Sequence, residues 1–294
     1  MDIAQPGNAA RDRFQVSFEI FPPKTESGER SLQETITALE QLAPDFISVT
    51  FGAGGSSQNR TVSIAREIST RTEIPVVGHL TCVGSTKDQL VEIIDDYRRA
   101  GVRTILALRG DPPEGVGSDW QPTPGGLDHA DQLVSLIVSL GAMRVGVAAF
   151  PEGHPESDSL DQDARVLAAK QEAGAEFAIT QLFFRASDYF RLVERAREHG
   201  CTMPIVPGIM PVTNVGQVER FAQICGSEFP APLAERFHAV ADDPAAIQEV
   251  GVDVAVSLCQ ELVKGGAPGL HFYTLNKSPA TREIYQRLQA TVTG

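Results

Sequence analysis

The chain has 294 residues, 42% hydrophobic and 21% charged, which suits either two medium domains or one large α/β barrel. Its formal net charge of −13 argues against a surface that tracks nucleic-acid phosphates, so any anionic ligand needs a few local cations or backbone amides. No apolar run approaches the ~18 residues of a membrane span, and residues 1–13 lack the apolar centre of a signal peptide. A cytoplasmic protein is expected.

Residues 1–14 read as a disordered tail and 15–294 as one catalytic domain. The domain opens on a β-rich run at 16–21. Ser31-Leu32-Gln33-Glu34 then fits a helix capping box, followed by Leu32, Ile36 and Leu39 on one face up to Pro44. Runs at 46–51 and 76–81 come next. Thr86-Lys87-Asp88-Gln89 is a second box, with Leu90, Ile93, Ile94 and Tyr97 in one stripe before Gly101. Further runs occupy 104–108, 145–150, 177–184 and 205–210. Asn214 caps a helix whose apolar face holds Val218, Phe221, Ala222 and Cys225. The stretch 229–266 has room for an extra helix besides the usual crossover, and the last run is 270–275.

Eight such runs, mostly continuous in apolar residues and alternating with helices, predict a closed (βα)8 TIM barrel with an extra helix before the last strand. An open doubly wound sheet would require several runs to be misread. Cys82, Cys201, Cys225 and Cys259 are too scattered for a zinc pattern or a redox pair, so they read as small apolar residues and no metal site is expected.

A barrel of this kind builds its site at the C-terminal ends of the strands. Those ends carry Glu19, Thr50, His79, Thr81, Arg109, Asp111, His154, Thr180, Gln181, Tyr273 and Lys277. An unpartnered buried polar group costs roughly 1–3 kcal/mol, so such a rim implies a ligand. The alternative is a self-satisfied network, for instance Arg109 bridging Glu19 and Asp111. Gly52-Ala53-Gly54-Gly55 fits a tight turn as well as a phosphate cradle. Arg109-Gly110-Asp111 at a buried strand end is no adhesion motif. His129, His199 and His238 fall on helices or helix starts and read as surface or packing residues.

Six stretches at this rim are similar to signatures of bacterial methylenetetrahydrofolate reductases. They are Phe18-Glu19-Ile20-Phe21-Pro22-Pro23-Lys24, Ser48-Val49-Thr50-Phe51, Gly78-His79-Leu80-Thr81-Cys82, Ala107-Leu108-Arg109-Gly110-Asp111, Ala178-Ile179-Thr180-Gln181-Leu182-Phe183-Phe184 and His271-Phe272-Tyr273-Thr274-Leu275-Asn276. The resemblance implies reduction of 5,10-methylenetetrahydrofolate to 5-methyltetrahydrofolate. NADH or NADPH would supply the hydride through bound FAD, in alternation. It makes Glu19 the general acid and Asp111 the carboxylate beside pterin and flavin. Gln181, Phe221, Tyr273, Leu275 and Lys277 become folate contacts. Thr50, His79, Leu108, Arg109, Gly110, His154, Asp163 and Lys170 become flavin contacts, extended to His129, Ala130, Ala148 and Phe150. Relatives are usually homo-oligomers. Nothing in the chain resembles the regulatory extension of eukaryotic members, so inhibition by S-adenosylmethionine is not expected.

The chemistry independently calls for these residue types. Opening the methylene-bridged ring requires a proton on the leaving nitrogen, and a carboxyl in apolar surroundings keeps its proton to higher pH. Glu19 stands among Phe18, Ile20 and Phe21. An ionised carboxylate such as Asp111 would stabilise the resulting iminium. The chain departs from many relatives at Val166, Ala169, His129, Phe150 and Lys277, which thins the polar contacts around the flavin. A flavin-independent reductase passing hydride directly from nicotinamide to folate is therefore the first alternative. A barrel aldolase would need a Schiff-base lysine, and only Lys277 lies near a strand end. A non-catalytic scaffold is disfavoured by the Glu19–Asp111 pair.

Overall fold

A computed structural model describes residues 14–51, 55–111, 123–141 and 143–292. Apart from Phe14, the expected tail lies outside the described residues, as do Gly52, Ala53 and Gly54 of the glycine-rich turn.

Among the described residues, nine strands form one parallel sheet: β1 (Gln15–Ile20), β2 (Phe46–Val49), β3 (Val76–Thr81), β4 (Thr104–Leu108), β5 (Arg144–Ala149), β6 (Phe177–Thr180), β7 (Ile205–Val206), β8 (Gly208–Ile209) and β9 (Gly269–Tyr273). β1 pairs with both β2 and β9, and the order runs from β7 through β1 to β9 and β8. The two ends, β7 and β8, are halves of a single run separated by Pro207. β7 pairs with β6 and β8 with β9, so this broken strand closes the barrel. Proline has no N–H to give to the ladder, which explains why the expected run at 205–210 splits. Its carbonyl still accepts from the His271 N–H at 2.9 Å. The run expected at 177–184 is shorter, because its pairing with the two-residue β7 ends at Ile179.

Strand residues alternate between two cores. Phe18 and Ile20 of β1 face outward and are buried with Leu32, Ile36 and Leu39 of helix α1 (Glu26–Glu40). The other parity faces the barrel axis, where Val77, Leu106 and Ile179 pack with Phe46, Leu108 and Phe177. Gly146 makes room there, since a methyl on it would sit 2.3 Å from the Phe177 ring.

α1 starts earlier than expected. Thr25 caps it by accepting from the Gly28 N–H at 3.1 Å, and Glu26 and Glu29 face the positive end of the helix dipole. Ser31 lies inside the helix, where its hydroxyl donates to the Asn276 carbonyl. Helix α2 (Gly55–Arg71) follows β2, and α3 (Lys87–Arg99) has the expected reciprocal box between Thr86 and Gln89. His129 precedes α4 (Ala130–Ser139) at its N-cap, and α5 (Leu160–Glu172) and α6 (Ala186–Glu198) follow β5 and β6. Asn214 caps α7 (Val215–Cys225) by accepting from Gln217 N–H at 2.8 Å.

The extra helix is α8 (Ala231–His238), ahead of the crossover helix α9 (Pro244–Lys264) and, after β9, α10 (Pro279–Val292). Val212, Val215, Val218, Leu233, Phe237 and Ile247 join α7, α8 and α9 in a separate apolar cluster. Gly251 lets α9 approach the chain after β8, because a methyl there would sit 1.9 Å from the Val212 carbonyl oxygen. Cys82, Cys201 and Cys259 are buried and Cys225 half-buried, all as free thiols. Among the described residues, no helix is long and apolar enough to cross a membrane.

Candidate active site

Strand parity brings the polar residues together. Glu19 is in register with Tyr273 on β9 and Ser48 on β2, and Ser17 with His271, so all five face the barrel axis in adjacent layers. The Glu19 side chain is 21% exposed, and its Oε2 lies 3.6 Å from Nε2 of His79 and 3.7 Å from Nε2 of His271.

His79 is buried on β3, and burial pushes its pKa down to about 4 despite the opposing pull of Glu19. It is therefore neutral near neutrality. Its Nε2 has no hydrogen-bond partner among the described residues. His271, fully buried, has Nδ1 at 2.8 Å from Ser17 Oγ and Nε2 at 3.5 Å from Ser48 Oγ, with its ring stacked on Phe46. Tyr273 meets that ring edge-on and donates its hydroxyl to the Thr180 carbonyl. Burial, helped by the charge of Glu19, raises its pKa well above that of an ordinary phenol, so it stays a donor. Gly208 makes space for it, since a methyl there would sit 2.5 Å from the Tyr273 oxygen.

The backbone carrying Glu19 is tied to the turn after β9. Thr274 Oγ1 donates to the Glu19 carbonyl at 2.6 Å. The Asn276 amide brackets Phe21, accepting from its N–H at 3.0 Å and donating to its carbonyl at 2.8 Å. Leu275 and Asn276 adopt left-handed φ values of 51° and 55°. That conformation is unfavourable for leucine, and these bonds hold it. Thr35 and Ser31 of α1 close the turn by donating to the Asn276 carbonyl.

The opposite rim is built from β4 and the β5–α5 loop. Arg109 takes both carboxylate oxygens of Glu156, with Nη2 at 2.9 Å from Oε1. This corrects the bridge to Glu19 that the sequence left open, because Glu19 faces the two histidines instead. Gly110 has φ 88°, and a methyl there would sit 2.4 Å from Val83 Cγ1, so both the backbone conformation and the packing of Val83 require glycine. Beside it, Thr81 Oγ1 is buried without a hydrogen-bond partner among the described residues. Asp111 is exposed, and its charge acts on Arg109 and on Cys225 of α7. α7 thus lies near that rim, with half-buried Phe221 one turn before Cys225.

Asp163 shapes the β5–α5 loop, accepting from His154 N–H at 3.0 Å and Ser157 Oγ at 2.7 Å. His154 Nδ1 accepts from Glu156 N–H, and burial with the Arg109 charge lowers its pKa, which leaves the proton on Nε2. Lys170 is buried and donates to the Ala148 carbonyl at 3.0 Å. Burial lowers its pKa to about 8, against the pull of Asp163 and Asp131.

The other expected residues are more loosely engaged. Gln181 accepts from the following Leu182 N–H, and Thr50 accepts on its carbonyl from Thr61. Leu108, Phe150 and Leu275 are half-buried, Ala130 is buried, and His129 and Lys277 are exposed. His271, Ser17, Ser48 and Glu156 have no role in the sequence reading. A serine and a histidine in otherwise apolar strands, at the same parity as Glu19 and Tyr273, were the available signal.

A family model described as methylenetetrahydrofolate reductase matches residues 6–289. The chain is 39% identical over 277 residues to the 5,10-methylenetetrahydrofolate reductase of Pectobacterium carotovorum subsp. carotovorum, covering 94% of this chain and 90% of that one. It is 38% identical over 276 residues to that of Escherichia coli strain K12, covering 94% and 91%. Among solved structures, an uncharacterized Clostridium thermocellum protein that binds two copies of 5-methyl-5,6,7,8-tetrahydrofolic acid superposes with a TM-score of 0.65. It shares 14% identity, over 97% of this chain and 98% of that one, and so shows the fold. With identity sustained over nearly the whole length of both relatives, the chain belongs to the methylenetetrahydrofolate reductase family.

Proposed function

We propose that the protein reduces 5,10-methylenetetrahydrofolate to 5-methyltetrahydrofolate, with FAD at the barrel mouth and NADH or NADPH as the source of hydride. The observation that carries this reading is the contrast between two carboxyls. Glu19 is sunk between buried histidines, and Asp111 is exposed at the opposite rim. One suits proton donation and the other charge stabilisation.

Protonated Glu19 gives its proton to the leaving nitrogen of the bridged ring, whose bond to the methylene carbon breaks. The carbon is left as an iminium on the other nitrogen, next to the negative charge of Asp111. Hydride addition to that carbon makes the methyl group, and Glu19 regains a proton from solvent. Gln181, Phe221, Tyr273 and Leu275 orient the folate, with Lys277 at its outer end.

The residues fit a flavin at the inner end of the site. Buried His79 Nε2 and Thr81 Oγ1 lack hydrogen-bond partners among the described residues, Gly110 turns beside Thr81 with φ 88°, and Arg109 and Lys170 supply positive charge. FAD, when bound, relays two electrons and a proton from nicotinamide to folate. Thr50, Leu108, Ala148, Phe150, His154 and Asp163 complete its surroundings. A flavin-independent reductase is the second reading, favoured by exposed Val166 and Ala169 on α5 and by the pairing of Arg109 with Glu156. Protein produced with ample riboflavin should be yellow, bleach anaerobically with NADH and recover its colour on adding methylenetetrahydrofolate. Colourless protein that still reduces folate would establish the second reading.

A further inference from the structure

Glu19 is expected to donate a proton, but a carboxylic acid has two oxygens and only one orientation serves the substrate. Both imidazoles beside it face the same oxygen. Oε2 lies 3.6 Å from His79 Nε2 and 3.7 Å from His271 Nε2. These separations are longer than a formed hydrogen bond and suit groups that tighten when a ligand closes the site. His271 is held from beneath, because Ser17 Oγ stands 2.8 Å from Nδ1 and is itself buried. When the Ser17 hydroxyl donates to Nδ1, the ring proton resides on Nε2, where Ser48 Oγ at 3.5 Å and the carboxyl at 3.7 Å both face it, and the charged form of the carboxyl is the stronger acceptor. The stack on Phe46 and the edge contact with Tyr273 fix the ring plane.

We infer that His271 is a positioning residue for proton transfer, anchoring Oε2 of Glu19 through Nε2–H so that the acid proton resides on Oε1, the oxygen left for the substrate. This rests on the reading of Glu19 as the proton donor. No bond of His271 changes. Its Nε2–H also stabilises the carboxylate left after Oε1 has released its proton to the leaving nitrogen.

Two amides separate this role from a packing role. Glutamine extends its NH2 to about the depth of Nε2, whereas asparagine reaches only that of Nδ1 and so keeps the Ser17 side. His271→Asn, which leaves the acid itself in place, should slow folate reduction at least ~10-fold, part of the roughly 10²–10⁴-fold typical of acid catalysis, and enlarge its solvent isotope effect. His271→Gln should restore most of the rate. Flavin reduction by NADH should be the same in both, and the folate KM should move less than kcat. Ser17→Ala, a smaller change, should slow the folate half-reaction alone and carries the test if His271→Asn does not fold. Equal folate rates for the Asn and Gln variants, or parallel losses in both half-reactions, would overturn the inference. Glu19→Gln, measured alongside, distinguishes the two failures. If it reduces folate normally, the donor reading itself falls; if it alone is impaired, only the role of His271 falls.

Discussion

At the scale of single residues, the site owes its asymmetry to where each charge is allowed to reside. Asp111 is exposed, so water screens its field, yet its charge still acts on Arg109 and on Cys225. Asp111→Asn should slow folate reduction roughly 10-fold, less than the 10²–10³-fold seen when a buried oxyanion donor is removed. Removing the negative charge should also make bound flavin easier to reduce, which a redox titration would register. Unchanged folate kinetics together with an unchanged potential would leave Asp111 as a partner of Arg109 only. Lys170 makes a different case, because its ammonium is buried against the Ala148 carbonyl. Lys170→Met keeps the volume and removes the cost of burying a charge, so the thermal midpoint should hold while flavin retention after gel filtration falls about 10-fold. Full retention would make Lys170 structural. The meeting of Glu19 and His79 at one end of the barrel was legible because polar residues at strand ends stand out against apolar runs. The pairing of Ser17 with His271 was not, since 254 residues separate them and only barrel closure puts them in contact.

At the scale of elements, the eight β-runs and the extra helix were legible from periodicity and length, and boundaries were less so. Ser31 has the residues of a capping box, but Thr25 lies where the chain turns after Pro22 and Pro23, and the helix begins there. The break at Pro207 follows from chemistry already in the sequence, though its use in closing the barrel needs the partners β6 and β9. α9 tests how tightly these layers are fitted. Gly251→Ala places a methyl 1.9 Å from a backbone oxygen that no rotamer change can move. It should cost about 1–3 kcal/mol, the usual range for overpacking, and lower the thermal midpoint by several degrees. A midpoint equal to wild type would show that α9 can slide away from Val212 freely.

At the scale of the whole molecule, the buried bases tie stability to pH. His79 binds its proton near 6.5 when unfolded and near 4 when folded, so between those values the unfolded chain holds more protons. Stability therefore falls as pH drops from 6.5 to 4, by up to on the order of 3 kcal/mol from this residue. Lys170 acts in the same sense at higher pH, with stability rising between about 8 and 10.5. Urea unfolding across pH 4–6.5 should show a shallower slope for His79→Gln than for wild type. Parallel slopes would mean that His79 is hydrated in the folded protein.

The assignment of Glu19 as the proton donor is tested most directly by stopped-flow measurement of the two half-reactions of Glu19→Gln. Glutamine has nearly the same shape and can still meet His79 and His271, but it has no acid proton to give. Methylenetetrahydrofolate reduction should fall by roughly 10²–10⁴-fold or more, with flavin reduction by NADH largely intact. Folate reduction at the wild-type rate, or equal losses in both halves, would contradict it.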